Sequence, residues 1–293
     1  MSANEHSQTS FFERNPSVIQ PYGNGIPLVL IHDGGGTTYS YYGLRNLDRP
    51  VYGIHNPRFY TCRPFKGGIM EMARIYTQLI ELAGIDGPFI IGGWSLGGLI
   101  ALEITRILGT YPYGPIAGTV MIDTPCPVPS SVPASEPQLR FHENCRLEIK
   151  KLVQQNMKVA VGMLDRYQPP LNVSDWSYED EQDYTLLDSA SDTRFLPHVV
   201  LLKAQGYAPT LNQTEASSSI VNSARVDYFR DFTALGWEKA EEPLVSEVLL
   251  IPGNHYDLFM DENVKSSSNA IRKACDNLEA DLYETRHNNS DSD

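Results

Sequence analysis

Ten residues, Phe89-Ile90-Ile91-Gly92-Gly93-Trp94-Ser95-Leu96-Gly97-Gly98, constrain this chain more than any other stretch. Residues 89–91 are an apolar run between Pro88 and a pair of glycines, which reads as a short buried strand. After Ser95, apolar side chains recur at Leu96, Leu99, Ile100, Leu102, Ile104, Ile107 and Leu108, leaving Glu103 and Arg106 for the wet side. That spacing is helical. Ser95, flanked by Gly93 and Gly97, therefore sits where a strand turns sharply into a helix, the context a G-x-S-x-G nucleophile elbow requires. A serine exposed on so tight a turn needs neighbours without Cβ atoms, and Gly98 lets the helix approach the sheet closely. The helix N-terminus also brings positive potential and the Leu96 N–H to any oxyanion formed at Ser95. The plain alternative is a Gly-rich connection carrying an ordinary serine; strand, helix and both glycines together favour the nucleophile.

The flanking chain repeats the strand–helix rhythm. Pro27-Leu28-Val29-Leu30-Ile31 reads as a strand buried on both faces, and it runs into His32-Asp33-Gly34-Gly35-Gly36-Thr37. Three glycines at a strand's C-terminal end free the backbone to aim N–H groups into a cavity, which makes Asp33 or Gly34 the candidate second oxyanion donor. A flexible turn is the competing reading. Residues 51–55 form another short strand, and residues 69–82 an amphipathic helix with Met72, Ile75, Tyr76, Leu79 and Ile80 on one stripe. Residues 117–122 are a buried strand ending at Asp123-Thr124-Pro125, and sheet character returns at 198–204 and 245–251. Strands alternating with helices of this length predict an α/β fold with a mostly parallel, doubly wound sheet.

Between residues 126 and 197 the alternation stops. Pro125, Pro127, Pro129, Pro133 and Pro137 mark a linker, and residues 139–164 read as one helix, apolar around much of its girth. An insertion of ~70 residues between two core strands is too long for a plain loop and predicts a helical lid, with Met157 and Met163 facing a substrate pocket. The expected organisation is an N-terminal tail at 1–25, a core at 26–125 and 198–285, the lid at 126–197, and a disordered acidic tail at 286–293. Residues 264–283 form the last helix.

Net charge is −13, which argues against nucleic acid and anionic membrane surfaces as partners. It is unevenly spread: residues 138–166 carry six Lys/Arg against three Asp/Glu, and residues 167–193 carry seven acids and no base. No stretch approaches the ~20 apolar residues of a membrane span, and no signal-peptide core precedes the first strand, so the cytoplasm is the expected location. Cys62, Cys126, Cys145 and Cys275 are scattered without C-x-x-C pairing, and no two histidines are spaced as helix-face ligands. Free thiols, no metal and no cofactor are the expectation.

An acyl-transfer triad on this kind of sheet runs in the order Ser, Asp/Glu, His, each at a strand's C-terminal end. Ser95, Asp123 and His255 satisfy order and placement. His255 would take the serine proton, and Asp123 would hold the imidazole tautomer and stabilise the imidazolium. The exit of the 198–204 strand, Gln205-Gly206-Tyr207, holds no carboxylate, and Asp257 is too near His255 along the chain to orient it. A turn-capping Asp123 and a loop His255 are the plain alternatives. His32 belongs with the glycine loop, His55 and His198 flank strands, and His142 lies in the lid.

Taken in order, Pro-Leu-Val-Leu-Ile-His-Asp-Gly-Gly-Gly, Pro-Val-Tyr-Gly-Ile, Gly-Gly-Trp-Ser-Leu-Gly-Gly, Met-Ile-Asp and Gly-Asn-His resemble the thioesterases that release products from polyketide synthases and nonribosomal peptide synthetases, on the α/β-hydrolase fold. The match covers residues 26–262, is most specific at Gly-Trp-Ser-x-Gly-Gly, and is similar above all to terminal thioesterases of fungal synthases. The resemblance implies an acyl chain delivered on the phosphopantetheine arm of an acyl carrier protein, transferred to Ser95, then released. A free-standing enzyme acting in trans is expected from the initial methionine and the lack of a carrier domain. Asp123 on the earlier strand matches product-releasing members, whereas free-standing editing members often place the acid later; editing and release both stay open. So do hydrolysis, transfer or cyclisation of the acyl group, hydrolysis of a small oxoester, and, outside the enzymes, an idle hydrolase fold used for binding. Arg140, Arg146, Lys150, Lys151 and Lys158 form either a face for an acidic carrier domain or a solvated helix face.

Overall fold

The computed structural model describes residues 14–110, 114–129, 131–172, 176, 197–211 and 223–290, the last six by backbone alone. The acidic stretch falls mostly outside this range.

Seven strands form one sheet in the order β1-β3-β2-β4-β5-β6-β7. They are β1 (Ser17–Gln20), β2 (Leu28–Ile31), β3 (Val51–Ile54), β4 (Phe89–Trp94), β5 (Ile116–Ile122), β6 (Val199–Gly206) and β7 (Glu247–Asn254). Every neighbouring pair is parallel except β1 with β3. The helices are α1 (Gly68–Leu82), α2 (Leu96–Leu108), α3 (Leu147–Leu164) and α4 (Val264–Ser290). In β2, Val29 and Ile31 enter one core and Leu28 and Leu30 the other, all at 0% exposure. Continuous apolar runs make such strands because helices cover both faces: α1 and α2 on one, α4 on the other.

Three elements depart from the expectation. The stretch read as an N-terminal tail contains β1, whose Ser17 Oγ donates to Gly53 O at 3.2 Å and whose backbone pairs with β3. Four residues are too few to show alternation above the background, and a neighbouring edge makes the strand. The helix expected at 139–164 begins only at Leu147: Cys145 N–H closes a turn on His142 O at 2.9 Å, and Arg146 is extended. Before it the proline linker is pinned by bridges Ser135↔Ala224 and Pro137↔Thr210. Lastly, α4 continues to Ser290, into the segment expected to be disordered, and only 291–293 fall outside the described residues. Its charged end lacks the apolar periodicity that signals a packed helix, yet nothing in it breaks one.

α3 leans on the core through a polar peg. Asn156, 4% exposed, donates from Nδ2 to Phe59 O at 3.0 Å and accepts at Oδ1 from Asn56 Nδ2 at 3.1 Å. An asparagine inside an otherwise apolar helical face costs less than it would alone because these bonds replace its water. Among the described residues no helix is long and apolar enough to cross a membrane.

Candidate functional site

The strand β4 delivers Ser95 at φ 58°, ψ −118°, a left-handed backbone that an L side chain rarely adopts. Close packing holds it there. A Cβ at Gly93 would lie 2.4 Å from the Gly97 carbonyl carbon, and one at Gly97 2.4 Å from Ile31 O, so glycine is required at both positions. Ser95 N–H donates to Ile122 O at 2.9 Å, and Thr124 Oγ1 donates to Ser95 O at 3.1 Å, coupling the elbow to the end of β5.

Asp123 follows β5 directly, also at positive φ (44°) and fully buried. His255 stands on the turn after β7, a turn shaped by Asp257, which accepts the Asn254 N–H at 2.7 Å and also takes its side-chain amide. Three residues separated by 28 and 132 positions are thereby joined. His255 Nδ1 meets Asp123 Oδ2 at 2.8 Å, and His255 Nε2 meets Ser95 Oγ at 3.0 Å.

The acid has a partner that no motif announces. Arg230, 3% exposed, donates from both terminal nitrogens to Asp123 (2.6 and 2.7 Å) and from Nε to Asp227 at 2.8 Å. Ala204 N–H adds a bond to Asp123 Oδ1 at 2.8 Å. Burial would by itself raise the Asp123 pKa, but the Arg230 bonds, with those of His255, hold it well below the usual carboxylate range. An ionised carboxylate only accepts, so Nδ1 of His255 carries the proton and Nε2 is left to accept from the Ser95 hydroxyl. Arg230 is shifted upward: desolvation opposes its charge, and the Asp123 contact outweighs it. Asp227 is pushed up by burial. Asp227 and Arg230 lie three apart in an unremarkable Asp-Tyr-Phe-Arg run, so only the 107-residue reach of Arg230 to Asp123 reveals the pair.

The glycine loop is sorted by which of its N–H groups are already used. His32 N–H donates to Ile54 O, Gly35 N–H to Asp33 Oδ1 and Gly36 N–H to Asp33 O, at 3.0 to 3.1 Å. Gly34 keeps an N–H group without a protein acceptor among the described residues, as does Leu96 at the first position of α2, while the Asp33 N–H acts on its own carboxylate. His32 is buried between Asp33 O (2.5 Å) and Tyr76 OH (2.6 Å), and burial lowers its pKa to about 4, so it stays neutral.

These groups open onto a cavity of about 640 Å³ lined by Ser95, Leu96, Gly34, His255 and, from α3, Met157, Val161 and Leu164. Met157 faces it as expected. Met163 does not: it is 4% exposed in the core cluster and borders a separate recess with Glu103 and Tyr167. Six residues along a helix turn a side chain through roughly 600°, which leaves the two methionines about 120° apart around the axis.

A serine, a histidine and a buried aspartate at the ends of β4, β7 and β5 of such a sheet, with a helix starting beneath the serine, have the α/β-hydrolase architecture. A family model described as Thioesterase domain matches residues 26–141. The thioesterase frbD of Dothideomycetidae sp. (strain 11243) is 34% identical over 263 residues, covering 89% of this chain and 93% of its own. The nonribosomal peptide synthetase imqB of Aspergillus flavus is 36% identical over 282 residues; that is 90% of this chain but 8% of the synthetase's length. Among solved structures, the thioesterase domain of NocB from the nocardicin cluster superposes with a TM-score of 0.60 at 22% identity, covering 89% of this chain and 98% of that one. The chain belongs to the thioesterase family.

Proposed function

We propose that the protein is a serine thioesterase that releases an acyl or peptidyl chain from the phosphopantetheine thioester of a carrier protein in secondary-metabolite biosynthesis. The observation carrying this reading is the unbroken hydrogen-bond chain from Ser95 through His255 to Asp123, opening onto a largely apolar cavity.

Ser95 Oγ attacks the thioester carbonyl while His255 Nε2 takes its proton. The carbonyl oxygen becomes an oxyanion facing the N–H groups of Leu96 and of Asp33 or Gly34. Collapse breaks the C–S bond, and the imidazolium returns its proton to the departing sulfur. Water, deprotonated by His255, then attacks the acyl-Ser95 ester and frees the acid. Asp123 stays ionised throughout and stabilises the imidazolium. Arg230 shares that charge from the other side, so it positions the carboxylate and moderates how strongly it draws the proton on His255. No cofactor or metal takes part in these steps. Residues 126–197 act as the lid, and the cytoplasm is the working compartment. Support for a carrier-protein partner comes from the kinship with imqB. The basic patch offers less: Arg140 is engaged by Glu262, leaving Arg146, Lys151 and Lys158 exposed.

Intact-protein mass spectrometry after mixing with acyl thioesters of graded length tests the reading. An adduct of acyl mass on wild type, absent from Ser95→Ala, is expected; turnover by Ser95→Ala above a few per cent of wild type would refute the covalent route.

A further inference from the structure

Two cavities meet beside Ser95. The one of about 640 Å³ holds Ser95 and His255; the other, about 470 Å³, is lined by aromatic side chains including Trp94, Phe59 and Phe259 and, on the lid side, by Arg140 and Arg146. Asp33, Leu139, Phe141, Met157 and Tyr256 line both, so the junction between the chambers is these five residues. Four are apolar or aromatic. The fifth is a carboxylate.

Asp33 is 8% exposed. Its Oδ1 accepts from Gly35 N–H at 3.1 Å, the Asp33 and Gly36 N–H groups also act on the carboxylate, and among the described residues no lysine or arginine pairs with it. Burial pushes its pKa up to about 6, and the Gly35 N–H bond offsets only part of that rise. A buried carboxylate normally has an arginine or a lysine beside it, as Asp123 does, because desolvating an unpaired charge is expensive. Here the open side of the group is cavity. An anion in that place also opposes the oxyanion that forms at Ser95, unless something positive enters with the substrate.

We propose that Asp33 is the recognition site for a protonated amine on the acyl chain, so that the preferred substrate class is an aminoacyl or peptidyl thioester with a basic nitrogen near the thioester carbonyl. The proposal rests on the acyl-transfer reading of Ser95 and narrows its substrate. The ammonium replaces the missing protein cation at a junction otherwise lined by Leu139, Phe141, Met157 and Tyr256. Neutralising Asp33 removes its repulsion of the oxyanion, so the gain appears in kcat as well as in binding.

Hexanoyl and 3-aminohexanoyl thioesters of N-acetylcysteamine differ by the amine alone and form the test. Wild type should favour the amine in kcat/KM by about 10-fold or more, the size of a charge-assisted contact in a closed site. Asp33→Asn retains the oxygen that accepts from Gly35 N–H, hence the turn, and should bring the ratio near 1 by losing rate on the amine and gaining on the neutral chain. A purely structural Asp33 would leave that ratio unmoved. Wild type showing no preference, or Asp33→Asn keeping it, overturns the proposal, and the wild-type ratio decides even if the variant fails to fold. Calorimetric binding of both thioesters to Ser95→Ala separates the two readings. If neither ester turns over, the acyl-transfer reading fails, while tighter binding of the amine, or its absence, still decides the role of Asp33.

Discussion

Two buried aspartates stand at the ends of neighbouring parts of the same sheet, and they are treated in opposite ways. Asp123, after β5, is fully buried and collects Arg230, His255 and the Ala204 N–H. Asp33, after β2, is almost as buried and has backbone N–H groups of its own loop around it but, among the described residues, no paired lysine or arginine. Desolvation is the largest influence on both. It is overcome at Asp123, whose pKa falls, and prevails at Asp33, whose pKa rises to about 6. The first region holds a permanent charge of known position. The second holds a charge that is unstable until something arrives. Burial alone therefore says little about a carboxylate's role; what surrounds it decides.

Removing the charge from the well-partnered aspartate gives the largest effect. Asp123→Asn should lower kcat on a simple acyl thioester by about 10⁴, by offering His255 the wrong tautomer partner. A near-silent Asp123→Asn would erase the contrast and send the search to Asp227, the other acid on Arg230. Removing the arginine instead leaves both acids in place. Arg230→Met should cost about 3–5 kcal/mol of stability, the usual penalty for stranding one side of a buried ion pair, measurable in urea.

The third comparison uses pH. Asp33 has a raised folded pKa, so it binds protons more readily folded than unfolded, and wild-type stability from this group falls as pH rises from about 4 to 6. Asp33→Asn should accordingly be more stable than wild type by about 2–3 kcal/mol above pH 6, with the advantage fading toward pH 4. Asp123 titrates in the opposite sense: its contribution is present above the ordinary aspartate pKa of 3.8 and is lost as pH drops below it. Thermal unfolding of Asp33→Asn at pH 4, 6 and 8 checks this, and a pH-independent difference would show that folding does not raise the Asp33 pKa. The smallest effects lie in α3. Met163→Ala should cost about 2–4 kcal/mol as a core truncation, whereas Met157→Ala should cost under about 1 kcal/mol and change the preference for short over long acyl thioesters. Equal losses of stability would mean that Met157 is core too.

Near neighbours in sequence were the legible part. Ser95 with its glycines, the strand-helix alternation, the order Ser95, Asp123, His255 and the loop of Asp33 and Gly34 are all local patterns, because elbow, strand end and turn are each built from a few consecutive residues. The same locality named Asp33 or Gly34 as the donor but could not show that the fold uses up the Gly35 and Gly36 N–H groups in turn bonds. The shortened α3, the edge strand β1 and the inward Met163 depended on what lies across from them: a bridge at Pro137, an open edge at β3, the core beneath the helix. Arg230 is the clearest case. Its chemistry is a charge interaction spanning 107 residues, and no periodicity or spacing encodes such a distance. Sequence by itself determined which residues can do acyl-transfer chemistry and at which strand ends they stand. Tertiary structure alone decided which of the two buried carboxylates received a cation, since that partner arrives from a distant segment and only packing brings it in.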